Sequence, residues 1–221
     1  MPVVQRPRGR PSRPLLSRER ILEAAFEVSR EQGAAGFSLA RVAKHLGVQP
    51  PALYNHVRGR EEVVTLMRNS FTAGIDGSAF AQAEWDAAIV PMAWSYREAF
   101  ARDPEVATLL AVNPVGSAES ALAVYRPMAA SLRAGGWPDR EIVPVIVALE
   151  SFIIGSALDL VAQGEIALPE DEDDDDALAA AVRAAREDGR ERGLTAADQA
   201  FALGLEVMVE GLRARLQRLG G

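Results

Sequence analysis

The chain of 221 residues contains no cysteine, which excludes a disulfide framework and any zinc site built on thiolates. Its only two histidines are His45 and His56. No apolar run reaches the roughly 18 residues of a membrane helix, and the N-terminus has no apolar signal core. No nucleophile with a base, metal cluster or phosphate loop can be assembled from the residues that remain. We therefore expect a cytoplasmic protein that is not an enzyme, holds no metal or cofactor and has no membrane partner.

The charge of the chain is divided unequally along its length. The net charge is −7, yet residues 1–60 hold 11 Lys and Arg against 4 Asp and Glu, whereas the rest hold 13 against 27. A basic segment followed by an acidic one is typical of a nucleic-acid-binding head on a body that binds something else. The basic segment would gain affinity for phosphates through counterion release.

Residues 37–60 have the spacing of two short helices joined by a tight turn. Gly47 stands where a helix exit favours positive φ, and Pro50 and Pro51 suit the first turn of the next helix. The expected inward positions are Leu39, Val42, Ala43, Leu46, Leu53 and Val57. This pattern predicts a helix-turn-helix whose second helix, at 52–57, enters a DNA major groove. On spacing alone, a structural helical hairpin with a solvated basic face remains the alternative.

The segment RVAKHLGVQPPALYNHV, residues 41–57, resembles the TetR family of bacterial transcriptional regulators. Residues 21–38 also resemble that family's first helix and its link to the second, and residues 201–212 resemble the last helix of the tetracycline-repressor branch. The resemblance implies an all-α fold with an N-terminal three-helix helix-turn-helix head and a larger helical body for ligand binding and dimerisation. The expected boundaries are 1–16 for a disordered basic arm, 17–62 for the head and 63–221 for the body, with the helix after residue 60 acting as a lever.

The resemblance also implies which head residues contact DNA. Tyr54, His56 and Arg60 match backbone-contacting positions, whereas Ala40 and Pro50 replace polar residues that read bases in tetracycline repressors, so the operator should differ. Ser38 is a further phosphate candidate, and the base or rim candidates are Gln49, Asn55 and Arg41. The full predicted DNA-binding set is Ser38, Arg41, Lys44, Gln49, Pro50, Ala52, Tyr54, Asn55, His56 and Arg60, with Arg8 and Arg10 in the arm.

Residues 7–11, PRGRP, resemble the core of an AT-hook. An extended Arg-Gly-Arg places the guanidinium groups of Arg8 and Arg10 along a narrow A·T minor groove, where the negative potential is enhanced. The alternative is a basic tail that raises affinity without reading sequence.

The body shows helical periodicity and no useful strand-like alternation. Predicted helices cover 85–102, 104–110, 117–134, 139–163, 177–187 and 196–219. The acidic segment 165–176 is expected to be a solvated, mobile loop, because Gly and Glu are missing where a calcium loop beginning at Asp171 would need them.

Two body helices carry broad apolar stripes. The stripe residues are Ile142, Ile146, Leu149, Ile153, Ala157 and Leu160 on one helix, and Phe201, Leu205, Met208, Leu212, Leu216 and Leu219 on the other. The family pairs these two helices across a two-fold axis as a four-helix bundle, so a homodimer is expected. A monomer that hides both stripes internally is the alternative.

In the family the body also holds a small-molecule pocket. The candidate ligand-binding residues are Trp94, Phe100, Asn113, Met128, Glu150, Phe152, Ser156 and Asp159, with Met92 and Trp137 as further apolar candidates; the alternative is that the aromatic residues are core. The body has no histidine to hold a tetracycline–magnesium chelate, so an uncharged or modestly polar effector is expected. The predicted function is a ligand-responsive regulator, most simply a repressor, that binds a palindromic operator as a homodimer. The alternative is a DNA-binding regulator or architectural protein without an effector.

Overall fold

The computed structural model describes residues 16–113, 119–162, 166 and 176–220, the side chains at 120, 121 and 160–162 excepted. Over these ranges the fold is all-α, as predicted. The helices are α1 (Arg18–Gly36), α2 (Leu39–His45), α3 (Pro50–Leu53), α4 (Arg60–Thr72), α5 (Trp85–Ala101), α6 (Pro104–Ala111), α7 (Glu119–Ala134), α8 (Asp139–Ala162), α9 (Ala177–Arg192) and α10 (Ala196–Gly220), with a 3-10 turn at Ser78–Ala81. The arm with Arg8 and Arg10 and most of the acidic segment 165–176 lie outside the described residues.

Local chemistry explains where the first helices begin and end. The Ser17 hydroxyl accepts a hydrogen bond from the backbone N–H of Arg20, which caps α1. Gly33 interrupts α1 with φ of 64°. Gly47 also has positive φ, 68°, as expected for the tight turn between α2 and α3.

The head has its own hydrophobic core, and a body helix completes it. Buried residues of α1 to α4 pack together with three fully buried residues of α6, Val106, Leu109 and Leu110. An ion pair between Arg30 Nε and Asp103 Oδ2, 2.6 Å apart, joins α1 to the start of α6. The head is therefore not packed independently of the body, because removal of α6 would open its core.

The body core surrounds α5, which packs against α7, α8 and α10. Aromatic rings meet edge to face at its centre, with Phe100 against both Phe71 (4.9 Å between centroids) and Tyr96 (4.8 Å). Such pairs add roughly 0.5–1.5 kcal/mol beyond the burial of apolar area. Phe71 belongs to α4, so this core holds the far end of the helix that begins in the head.

Helix α8 is unusually apolar for a helix in a packed domain. From residue 139 to 159 its length and mean hydropathy of 1.9 would suffice to cross a membrane, although it contains no uninterrupted apolar run of that length. In the fold one side of α8 contributes Leu149 and Ile153 to the core, while Val143 and Val147 on another side are exposed. The apolar composition thus serves two faces of one helix.

Most residues of the two predicted dimer stripes are buried within the single chain, so these stripes are not available to a partner. On α8 the exposed fractions of Ile142, Ile146, Leu149, Ile153 and Ala157 are all below a tenth, and on α10 Phe201 and Leu205 are equally buried. Met208, Leu212, Leu216 and Leu219 are partly buried against the same core. The exposed apolar residues of these helices are Val143, Val147, Leu203 and Val207. The predicted stripes lie on the side of each helix that faces the chain's own core.

Candidate DNA-binding surface and body cavity

The predicted recognition helix is present and opens at Pro50 as expected, but it ends earlier than predicted. Regular helix covers only Pro50–Leu53, and the chain then continues in turns. The backbone N–H groups of His56 and Val57 both donate to the carbonyl of Leu53, at 2.9 and 3.0 Å. Leu53 and Val57 are buried, as predicted, so the α3 segment is anchored to the head core through these two side chains.

The outer faces of α2 and α3 carry most of the predicted DNA-binding residues. The exposed members are Arg41, Lys44, Gln49, Pro50, Tyr54, Asn55 and Arg60, and the half-buried members are Ser38, Ala52 and His56. Tyr54 is 59% exposed, which is unusual for a large aromatic residue. A donor-rich surface of this kind suits a phosphate backbone.

Contacts within the head hold α2 in position. The Ser38 hydroxyl caps α2 by accepting from the backbone N–H of Arg41 (3.4 Å), and the Arg41 guanidinium donates to the carbonyl of Gly36. His45 Nε2 lies 2.7 Å from Glu27 Oε2 on α1. Ser38 and Arg41 therefore have structural roles in addition to the predicted contacts with DNA.

The start of α4 adds basic residues that were not in the predicted set. Glu62 accepts from the backbone N–H of Arg58 (2.6 Å) and pairs with Arg18, which fixes the turn before the helix. Arg18, Arg58 and Arg60 line an open depression of about 810 Å³. Glu61 and Glu62 line the same depression, so its three guanidinium groups exceed its carboxylates by one charge. The basic residues on both sides of Gly59 were the sequence signal for this surface.

Arg60 connects the head to the body. Its Nη1 donates to Asn113 Oδ1 at 2.9 Å, and its guanidinium lies 5.6 Å from the centre of the Phe37 ring. Arg60 was predicted to contact phosphate and Asn113 to contact a ligand, and the structure places the two side chains together. The amide of Asn113 also donates to the carbonyl of Leu109 at 2.6 Å, so this residue closes the end of α6.

The predicted ligand-binding residues fall into separate groups. Asn113 and Glu150 line a cavity of about 280 Å³ between α4, α6 and α8. Phe100 and Met128 are buried in the body core, and Asp159 is exposed. Trp94, Phe152 and Ser156 lie in another group, around the buried guanidinium of Arg97. The eight residues do not converge on one site.

Glu150 is the centre of a polar cluster inside the body. The hydroxyls of Tyr96 and Tyr125 both donate to Glu150 Oε1, at 2.7 and 2.6 Å. Burial, together with the nearby carboxylate, raises the pKa of both tyrosines well above the ordinary value, so both remain protonated donors. Arg68, only 2% exposed, donates through Nη2 to the carbonyls of Leu110 and Asn113.

Arg97 is the second buried arginine of the body. Its Nε donates to Ser156 Oγ (3.0 Å) and its Nη1 to Asp198 Oδ1 (2.6 Å), which ties α5 to α8 and α10. Its charge also lies over the rings of Trp94 and Phe201, 5.4 and 4.7 Å from their centres. Burial raises the pKa of Asp198, but hydrogen bonds from Arg97 and Thr195 outweigh it, so the net pKa is lowered.

Sequence reasoning missed the residues that organise these clusters: Arg68, Tyr96, Arg97 and Tyr125. A signal was present, because each arginine stands near apolar residues in its helix, where a charge is costly unless it is paired. Periodicity alone did not indicate which partners would approach from other helices.

Comparison with known proteins matches two family models. Residues 21–66 match the model described as "Bacterial regulatory proteins, tetR family", and residues 80–216 match "Tetracyclin repressor-like, C-terminal domain". Together they include the α2–α3 surface and most of the body.

The individual proteins that the chain resembles share less than a third of its residues. The chain is 29% identical over 166 residues to the HTH-type transcriptional repressor DrrR1 of Streptomyces coeruleorubidus, covering 71% of this chain and 59% of that protein. It is 28% identical over 200 residues to the class A tetracycline repressor protein from transposon 1721 in Escherichia coli, covering 88% and 89%. The crystal structure of Streptomyces coelicolor ActR in complex with (S)-DNPA has a TM-score of 0.63 at 21% identity, covering 91% and 99%. The chain thus spans less than two thirds of DrrR1, and the likeness to ActR shows the fold alone.

Proposed function

Because the chain belongs to the TetR family of bacterial regulatory proteins, we propose that it represses transcription as a homodimer on a palindromic operator and is released by a small organic effector. The observation that carries this proposal is the exposed, donor-rich surface of α2 and α3, which is anchored on a packed head. The same head shares its core with α6, so a change in the body has a direct route to the DNA-binding surface.

On DNA, the α3 segment would lie in the major groove and the surrounding basic residues would contact phosphates. Tyr54, His56 and Ser38 are the proposed phosphate contacts, and Arg58 joins them because it lies on the depression at the start of α4. The proposed base or rim contacts remain Gln49, Asn55 and Arg41. Arg60 remains a proposed phosphate contact, through the guanidinium donors that its bond to Asn113 leaves open.

The homodimer is supported by exposed apolar residues on α8 and α10. Val143 and Val147 are 65% and 51% exposed, and Leu203 and Val207 are 64% and 58% exposed. Four large apolar side chains on two helices are a surface that a second copy would cover. A two-fold dimer would place two α3 segments on one palindrome.

The proposed effector response is supported by the cavity beside Glu150 and by the small-molecule ligands named for related proteins. ActR has been crystallised in complex with (S)-DNPA, and another relative is named a tetracycline repressor. Tetracycline held as a magnesium chelate is not proposed for this chain, whose two histidines both lie in the head. The cavity lies between α4, which begins in the head, and α6 and α8 of the body, so a ligand bound there would contact both regions.

We place the protein in the cytoplasm, where its DNA is, and we propose no membrane partner. The apolar composition of α8 is accounted for by its buried side and by the proposed dimer face. Neither role needs lipid.

Footprinting of the purified protein on the DNA upstream of its own gene, repeated over a range of salt concentrations, tests the proposal. We expect a protected palindrome with half-sites about one helical turn apart, and release of that protection by compounds from a lipophilic library. Diffuse protection that disappears uniformly with salt would indicate an architectural protein. Protection that no compound releases would remove the effector.

A further inference from the structure

The cavity between α4, α6 and α8 has oppositely charged walls. Its volume is about 280 Å³, and its lining includes Arg68, Leu110, Ala111, Asn113, Glu150 and Ile154. Arg68 belongs to α4 and Glu150 to α8, and the contacts between described side chains include no ion pair joining them. The two charges therefore face the same space without neutralising each other directly.

The Glu150 wall offers an open hydrogen-bond acceptor. Both tyrosine hydroxyls donate to the same oxygen, Oε1. Among the described residues no donor reaches Oε2. Because Tyr96 and Tyr125 stay protonated, they orient the carboxylate and leave its second oxygen for another donor.

The Arg68 wall offers open donors. The two described hydrogen bonds of its guanidinium, to the carbonyls of Leu110 and Asn113, both use Nη2. Within the described part of the chain no acceptor lies at hydrogen-bond distance from Nε or Nη1. An arginine has five N–H donors in a fixed plane, so a ligand acceptor can be added without breaking the bonds to α6.

A ligand of either net charge would be attracted by one wall and repelled by the other, and it would also lose hydration. A neutral molecule with an acceptor at one end and a donor at the other satisfies both walls. The volume lies just below the roughly 300 Å³ lower bound for drug-sized ligands, which favours a small one. We propose that this cavity is the effector site and that it selects neutral, small ring compounds carrying a carbonyl for Arg68 and a hydroxyl for Glu150. This inference rests on the proposed function as a ligand-responsive regulator.

Three neutral bicyclic compounds of similar size test this selectivity: 6-hydroxy-1-tetralone has both groups, 1-tetralone has only the acceptor, and 5,6,7,8-tetrahydro-2-naphthol has only the donor. Dissociation constants for the full-length protein would be measured by titration calorimetry. We expect 6-hydroxy-1-tetralone to bind about tenfold more tightly than either analogue, since each lacks one hydrogen bond to a charged group.

Variants locate the binding. Glu150→Gln should remove the advantage of 6-hydroxy-1-tetralone over 1-tetralone, whereas Glu98→Gln, the same change at an exposed carboxylate on α5, should preserve it. Ala111→Phe, at an exposed position on the cavity lining, should weaken all three compounds without touching Glu150 or its tyrosines. This second variant keeps the test valid if Glu150→Gln fails to fold.

Equal affinities for the three compounds, no binding by any of them, or binding that neither variant changes would each overturn the inference. The proposed function has a separate readout, which is release of the operator by any member of a lipophilic library. Release that persists at unchanged concentrations in Ala111→Phe would place the effector elsewhere and leave the proposed function standing.

Discussion

The notable polar side chains of the head lie at the surface, whereas those of the body are buried. On the head, Arg41, Lys44, Gln49, Tyr54 and Asn55 are exposed at the surface of two short helices. In the body the notable polar groups are inside, where arginines are held by carbonyls, a hydroxyl and a carboxylate. The exposed polar groups of the head are therefore available to an outside partner, whereas the polar groups of the body mainly bond to one another.

The two regions are nevertheless joined at specific contacts. The core of the head includes α6, Arg30 pairs with Asp103, and Arg60 donates to Asn113. The boundary predicted after residue 62 therefore passes through shared packing.

The most disruptive change should be a charge on the exposed apolar face of the body. Val147→Arg is expected to convert the proposed dimer to a monomer and to abolish binding to a palindrome, because a charge that must be buried without a partner costs far more than one salt bridge returns. Gel filtration with light scattering gives the mass. Gln82→Arg, at another exposed position, should leave the mass unchanged; equal behaviour of the two variants would contradict the proposed face.

Truncation of one α6 residue in the core of the head tests whether the head depends on this body helix for its stability. Leu109→Ala should lower the free energy of unfolding by about 2–5 kcal/mol, because a fully buried leucine leaves a cavity. Denaturant titration measures the change, with the exposed Val112→Ala as a control. A cost of Leu109→Ala no larger than that of the control would mean that the head folds without α6.

Two residues that touch each other separate a DNA contact from a structural one. If Arg60 contacts phosphate, Arg60→Ala should weaken binding to all sequences by about tenfold and lower the salt slope by about one. Asn113→Ala should leave the slope unchanged. Fluorescence anisotropy over a salt series gives both values, and an unchanged slope in Arg60→Ala would remove this residue from the phosphate contacts. Tyr54→Ala should also weaken binding to all sequences, but it should leave the salt slope nearly unchanged because the hydroxyl is uncharged, and it should not change the unfolding free energy.

The smallest effect concerns acid stability of the body. The pKa of Asp198 is lowered in the folded protein, so its stabilising contribution is present above its unfolded pKa and is lost as the pH falls through the folded one. Asp198→Asn should therefore flatten the loss of stability below about pH 4. Urea unfolding between pH 3 and pH 7 measures the slope, and the exposed Asp188→Asn serves as the control. Parallel curves for wild type and Asp198→Asn would contradict the assignment.

The sequence predicted local features well where a residue determines its own conformation. Gly47 has positive φ, Pro50 and Pro51 open α3, and Leu53 and Val57 are buried. Each of these depends on backbone preference or on spacing along one helix, which periodicity reports directly.

Features that depend on several helices were not predicted. The apolar stripes of α8 and α10 indicated burial but not which side faces the chain's own core, since both helices are apolar on more than one side. The pairing of Arg60 with Asn113 and the two tyrosines on Glu150 span 25 to 54 residues of sequence. Only the packing of helices brings such groups together.

Light scattering of the protein bound to a single palindromic duplex tests the central claim most directly, because it counts chains on one operator. We expect the mass of two 23.7 kDa chains for the free protein, and the same two chains bound to one duplex. A monomer in solution that also binds as one chain per duplex would contradict it.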